Sequence, residues 1–292
     1  MTDVLKCSSL VKAYGRTEAV KSLNLNLNEH TIYGLLGRNG AGKTTLLDMI
    51  TGGLFPDGGE IRVHGQALRR GEVPRQTCYV REKNFYPGGA KVGEVLNMAS
   101  TFYPDWDSAL AERLLGEFKL NSRKKMRQLS RGMESLVGNI VGLASRAPLT
   151  IFDEPVLGLD VLMRERFYRV LLEDYAEYPR TILLSTHLID EIATVVERVY
   201  IMESGDILLN EEVEQIRERA YLVNGSGGAV EAFTSGRRVL YRENYGSHTI
   251  AALYGEIGAE ERREAQSRGI EFDGLPLQKF FAYLIEGGQE HE

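Results

Sequence analysis

Two cysteines in 292 residues, Cys7 and Cys78, are too few and too widely separated to staple a fold. Neither sits in a CxxC or histidine spacing, so they are expected to be buried apolar thiols of a reducing compartment rather than metal ligands. No run approaches the roughly 18 apolar residues that span a bilayer. The opening MTDVLKCSSL lacks the basic start and apolar core of a secretory leader. Any membrane link is therefore expected to pass through another polypeptide. Positive charge is also lacking: 35 Lys and Arg stand against 41 Asp and Glu, a net charge of −6. No chain-wide field draws in nucleic acid, and no nucleic-acid partner is expected. Internal repeats and low-complexity tracts are absent as well. What remains is an ordinary globular composition, 43% hydrophobic and 26% charged, long enough for one large domain or two modest ones.

Patterning divides the chain. Residues 20–27 alternate Val20, Leu23, Leu25 and Leu27 with polar Ser22, Asn24 and Asn26, the period of a strand with one solvated face. TIYGLLG at 31–37 is a compact apolar strand, and AGKTTLLDMITG at 41–52 reads as a helix. A helical insert follows at about 90–135, where Asp107 can cap a helix carrying Leu110, Leu114, Leu115 and Phe118. The basic stretch 123–127 reads as a solvated face. Strand–helix alternation returns with PLTIFDEP at 148–155, TILLSTH at 181–187 and VYIMESGDIL at 199–208, implying a buried, largely parallel sheet. Residues 1–218 form the main domain in this reading. Residues 219–292 form a small α+β appendage, with strand, helix, two strands, helix, strand and a closing helix, an order compatible with a ferredoxin-like unit.

GRNGAGKT, comprising Gly37, Arg38, Asn39, Gly40, Ala41, Gly42, Lys43 and Thr44, fits the G-x-x-x-x-G-K-[ST] pattern between a predicted strand and a predicted helix. Glycines there let successive N–H groups converge on phosphate oxygens at a helix N-terminus. Lys43 would add charge at the β and γ phosphates, Thr44 would offer a hydroxyl to Mg²⁺, and Thr45 would touch phosphate. A chance match in a chain this long arises on the order of 1% of the time at average glycine usage. Asp153 and Glu154 close the apolar strand of PLTIFDEP, where doubly wound sheets present ligands. Asp153 can hold Mg²⁺ through water, and Glu154 can orient or deprotonate the water that attacks a γ-phosphate.

The order GRNGAGKTT, LSRGM at 129–133, IFDEP, LGLD at 157–160 and His187 in LSTH resembles the ABC (ATP-binding cassette) ATPases over residues 3 to about 215. That resemblance implies an α/β P-loop NTPase cassette, with a mostly parallel core sheet, antiparallel N-terminal strands and a helical insert, followed here by the α+β appendage. It implies Mg-dependent ATP hydrolysis, with ATP and Mg²⁺ as cofactors. Ser130 and Gly132 would bind the γ-phosphate of ATP held by another subunit's phosphate loop, making the active unit a head-to-tail dimer, either of identical chains or with a paralogous cassette. By the same resemblance Asp160 would cross the dimer interface, His187 would contact the γ-phosphate, and Tyr14 would stack on adenine. The implied setting is cytoplasmic, peripheral on the inner face of the membrane, bound to separate membrane-spanning permease subunits. A soluble ABC ATPase acting in translation or DNA repair is the alternative. The single motif set, the absence of a long heptad run and the acidic balance weigh against it.

Several positions depart from the family pattern, and LGLD lacks the small polar residue common before its glycine. Glu82 stands where the family's Q-loop carries a glutamine that senses Mg²⁺, and the signature has Arg131 and Met133 in place of a usual glycine and glutamine. A carboxylate at Glu82 can still reach the metal, so stricter Mg²⁺ dependence is expected. Glu82, FYPDWD at 102–107 and KKMRQLSRGM at 124–133 together resemble a bacterial branch often encoded beside GntR-type regulators, some of whose members export.

Overall fold

A computed structural model describes residues 3–83 and 86–288, which fall into two compact units. Unit 1 comprises Met1–His187 and Arg198–Leu209. Its strands and helices run β1 (Asp3–Tyr14), β2 (Thr17–Asn28), β3 (Ile32–Leu36), α1 (Lys43–Ile50), β4 (Gly58–Val63), β5 (Gln66–Ala67) and β6 (Thr77–Val80). The helical stretch follows as α2 (Val92–Ser100), α3 (Ser108–Glu117) and α4 (Arg131–Ala144). Then come β7 (Leu149–Asp153), α5 (Val161–Glu177), β8 (Thr181–Thr186), the short α6 (Ile189–Ile192), which belongs to unit 2, β9 (Arg198–Glu203) and β10 (Asp206–Glu212).

Two sheets build unit 1. The first has the order β2-β1-β4-β5, with antiparallel pairing throughout. Along β2 the alternation read from the sequence becomes alternate burial of Val20, Leu23, Leu25 and Leu27. The second sheet has the order β10-β9-β3-β8-β7-β6, and β3, β8, β7, β6 and β9 run parallel. Every residue of β3, β7 and β8 is buried, as expected of strands covered on both faces. Helix α1 packs against β2 and β7, its Leu46, Leu47, Met49 and Ile50 sharing a core with both sheets. Full burial of each such side chain contributes about 2 kcal/mol, which fixes the start of α1 beside the ends of the parallel strands. On the other side of that sheet, Phe167 of α5 meets Phe152 of β7 edge-on, with ring centres 5.7 Å apart.

The helical stretch is tied down by polar contacts. Asp107 caps α3 by accepting from Leu110 N at 2.8 Å, as the sequence suggested, and its other oxygen accepts from Arg146 at 2.8 Å. Arg146 also pairs with Asp174 of α5, which holds Arg180 at 2.8 Å as well. Asp174 and Arg180 are only 2% and 5% exposed. α4 lies against β6 and β7 and against α2 and α3, with Gly142 pressed on Phe152 and Val80 of the sheet.

Unit 2 comprises Leu188–Glu197 and Asn210–Glu292. After α7 (Val213–Arg219) come β11 (Ala220–Ser226), α8 (Gly227–Thr234), β12 (Val239–Tyr245), β13 (His248–Tyr254), α9 (Ala259–Ser267), β14 (Glu271–Gly274) and α10 (Leu277–Gly288). The sheet order β12-β13-β11-β14, with β11 antiparallel to both neighbours, is the ferredoxin-like arrangement. Val223, Ala251 and Leu253 face Val230 and Ala265 of the two crossover helices. The opposite face of the sheet meets α10, where Phe280 packs on Tyr254 and Tyr283 stacks on Tyr241 with ring centres 4.2 Å apart, a register shift between Val239 and Tyr241 having brought Tyr241 to that face.

Replacing Asp174 by Ala leaves two guanidinium groups without their buried counter-charge. The expected loss is about 3–5 kcal/mol in urea unfolding. A loss below about 1 kcal/mol would show that water already supports those charges.

Candidate functional site: a phosphate loop facing two buried carboxylates

The parallel register brings Leu36 of β3 beside Thr186 of β8, and Asp153 of β7 beside Ser185. The phosphate-binding loop and the acidic pair thus emerge from one edge of the sheet. Gly42, with φ +104°, allows α1 to begin there: a Cβ would lie 2.3 Å from the Ala19 carbonyl oxygen. Lys43 is buried and donates from Nζ to the carbonyls of Gly37 at 2.7 Å and Arg38 at 3.4 Å. Its ammonium also stands 3.9 Å from Glu154. Burial holds the Lys43 pKa below the ordinary lysine value, against the opposing pull of Glu154 and Asp153.

Asp153 accepts from the Thr44 hydroxyl at 3.1 Å through Oδ2, while its buried Oδ1 has no hydrogen-bond partner. Burial raises its pKa above the usual carboxylate range, opposed by the Ser185 and Thr44 hydroxyls. Glu154 sits in the left-handed region at φ +50°, a conformation that costs a non-glycine residue about 1 kcal/mol. The strained turn is pinned by Glu154 N donating to Ser185 O at 2.8 Å. Its carboxylate then accepts from Thr186 Oγ1 at 3.0 Å and lies 2.8 Å from His187 Nδ1. A carboxylate only accepts, so Nδ1 carries the proton of that contact.

One cleft of about 510 Å³ is lined by Tyr14, Ala19, Arg38, Asn39, Gly40, Gly42, Lys43, Thr44, Thr45, Glu82, Asp153, Glu154, Leu157 and His187. Tyr14 is half-exposed at its edge rather than in the core. Gly37 and Ala41 belong to the loop without lining the cleft; Ala41 is buried and donates to Arg38 O at 3.1 Å. A larger hollow of about 620 Å³, lined by His64, Glu72 and Arg75 among others, shares none of these residues.

Ser130, Gly132 and Asp160 lie outside the cleft and gather with one another. Ser130 caps α4 through its contact with Met133 N, and Asp160 caps α5 by accepting from Met163 N at 2.9 Å. Gly132 is pressed against the LGLD turn so tightly that a Cβ would lie 2.5 Å from Gly158 O. One residue and one contact escaped the sequence reading. Thr186 orients Glu154, and its only signal was its place between Ser185 and His187 in LSTH. Arg131 pairs with Glu82, 49 residues away, a contact that no local pattern announces.

The profile of the ABC transporter family matches residues 20–157. The bacitracin transport ATP-binding protein BcrA of Bacillus licheniformis is 30% identical over 223 residues, covering 75% of this chain and 73% of that protein. The chain belongs to the ATP-binding cassette family. The ABC transporter ATP-binding protein YtrB of Bacillus subtilis is 26% identical over 216 residues, 74% of each chain. A solved structure of the ATP-binding subunit of an ABC transporter superposes with a TM-score of 0.66 at 28% identity, covering 73% of this cassette protein and 92% of that chain. The fold is that of an α/β P-loop cassette, and ATP binding and ATPase activity follow from the family.

The donor set of the cassette's cleft suits a hard cation. The unpartnered Asp153 Oδ1, the Thr44 hydroxyl and Glu82 are all oxygen donors. Among the described residues no three His, Cys, Asp or Glu side chains converge, so a metal here must bring phosphate oxygens and waters of its own, as Mg²⁺ does.

The raised pKa of Asp153 sets a pH dependence. Its neutral form favours the folded state, an advantage complete below the ordinary value of 3.8 and lost as pH rises through the elevated folded value. Asp153→Asn is therefore expected to melt above the wild type at neutral pH without nucleotide, with the gap closing toward acid pH. Calorimetric scans across pH check this; a variant that melts lower at neutral pH overturns it.

Proposed function

We propose that this cassette is the ATP-hydrolysing motor of a bacterial transporter, working as a head-to-tail dimer coupled to separate membrane-spanning subunits. The carrying observation is the single cleft that joins Lys43, Thr44, Asp153, Glu154 and His187. In this reading the loop amides and Lys43 bind the β and γ phosphates, and Tyr14 stacks on adenine. Thr44, Asp153 and Glu82 would hold Mg²⁺, whose role is to neutralise charge on the phosphate oxygens. Glu154 orients and deprotonates the attacking water. Its position is fixed by Thr186 and by His187, which also reaches the γ-phosphate.

Separation of the Ser130, Gly132 and Asp160 cluster from this cleft supports the dimer, because a second chain is then required to bring signature residues to the phosphate. Two ATP molecules would lie between two such chains, identical or paralogous, and closure on them would move the membrane subunits. No described helix is long and apolar enough to cross a membrane, which fits a chain that relies on separate permease subunits at the cytoplasmic face. Similarity to a bacitracin transport protein, together with Glu82 and the 124–133 segment, favours export and the branch encoded beside GntR-type regulators. The main domain is read as residues 1–218, with the helical subdomain at 90–135 and the accessory domain at 219–292.

Glu154→Gln is expected to keep ATP affinity and lower turnover by about 10²–10⁴-fold. The trapped variant, drawn from detergent-solubilised native membranes, should bring a multi-span membrane protein in stoichiometric amount. Recovery with ribosomes or DNA alone would transfer the assignment to a soluble ABC ATPase.

A further inference from the structure

Two of the positions at which this chain departs from the family pattern meet in space. Glu82, an acid in place of a neutral glutamine, accepts a hydrogen bond through Oε1 from Arg131 Nη2, a base in place of a glycine. Glu82 lines the nucleotide cleft beside Thr44 and Asp153, and Arg131 is the first residue of α4, next to the Ser130 cap. The cleft already holds Asp153 and Glu154, both buried, with one buried lysine between them. A third carboxylate would repel a triphosphate that arrives without metal. The Glu82 charge is felt at Lys43, whose pKa it pulls upward. Arg131 cancels that added charge from outside the cleft.

We propose that Arg131 is a positioning residue for Glu82: it neutralises and holds the carboxylate at the cleft edge until Mg²⁺ arrives with the nucleotide, and Glu82 then exchanges the guanidinium for the metal. This rests on the reading of the cleft as a Mg·ATP site. The exchange links metal occupancy to the start of α4, since the cation takes over the charge that the guanidinium otherwise balances. Static stability is not its purpose. Glu82 and Arg131 are 35% and 57% exposed, and ion pairs of that kind contribute no more than about 1 kcal/mol.

The test uses the full chain, mant-ATP as probe, and the set Arg131→Gln, Glu82→Gln and the double variant, each with EDTA and across a Mg²⁺ titration. Arg131→Gln is expected to weaken metal-free binding about fivefold at low salt, with the loss shrinking at high salt, and to enlarge the gain in affinity on adding Mg²⁺. Glu82→Gln should reduce that gain. In the Glu82→Gln background, Arg131→Gln should change the gain by less than about twofold, the signature of coupled residues. Equal effects of Arg131→Gln in both backgrounds would overturn the exchange while leaving the ATP site intact. Failure of the wild type to bind mant-ATP, with or without Mg²⁺, would sink the site assignment and the exchange together.

Discussion

The cassette depends on holding like charges together. At the end of β7, Asp153 and Glu154 occupy adjacent positions, both buried, with Lys43 as the nearest cation. Left to itself, that arrangement opposes folding: burial raises the pKa of Asp153 and lowers that of Lys43. The surrounding fold supplies what offsets it. Two apolar sheets and α1 bury enough side chains to tolerate a strained turn at Glu154, where the Ser185 carbonyl accepts from Glu154 N and the Thr186 hydroxyl donates to the carboxylate. Stored electrostatic cost of this kind is what a site needs if metal and phosphate are to bind tightly.

Much of this was legible in the sequence, because its signals are local. The Gly37–Thr44 loop, the apolar run ending in Asp153 and the alternation of β2 each express chemistry within a dozen residues. The cap at Asp107 was legible for the same reason, since its partner is Leu110, three residues on. The ferredoxin-like order of unit 2 could be read from element sequence alone, because β-α-β-β-α-β leaves few ways to pair strands.

What stayed hidden joins residues far apart. Arg131 with Glu82, Arg146 with Asp174 and Gly132 with Gly158 are separated by tens of residues, and no periodicity encodes such meetings. Gly132 is instructive: within LSRGM its glycine reads as part of a signature, yet its packing reason is the LGLD turn pressed onto it. Tyr14 shows the converse. No pattern around it marks a ligand contact; only the family resemblance did, and its place at the end of β1 leaves its ring at the edge of the cleft.

The two cysteines have a practical side. Cys7 and Cys78 are buried in the interior of unit 1, and burial pushes the Cys7 thiol to about 12 and raises that of Cys78. Thiolate, the form that attacks maleimides and disulfides, is thus scarce at both positions near neutral pH. The natural chain therefore presents a chemically silent background. A single cysteine introduced on its surface can carry a fluorophore or spin label without first removing the native pair.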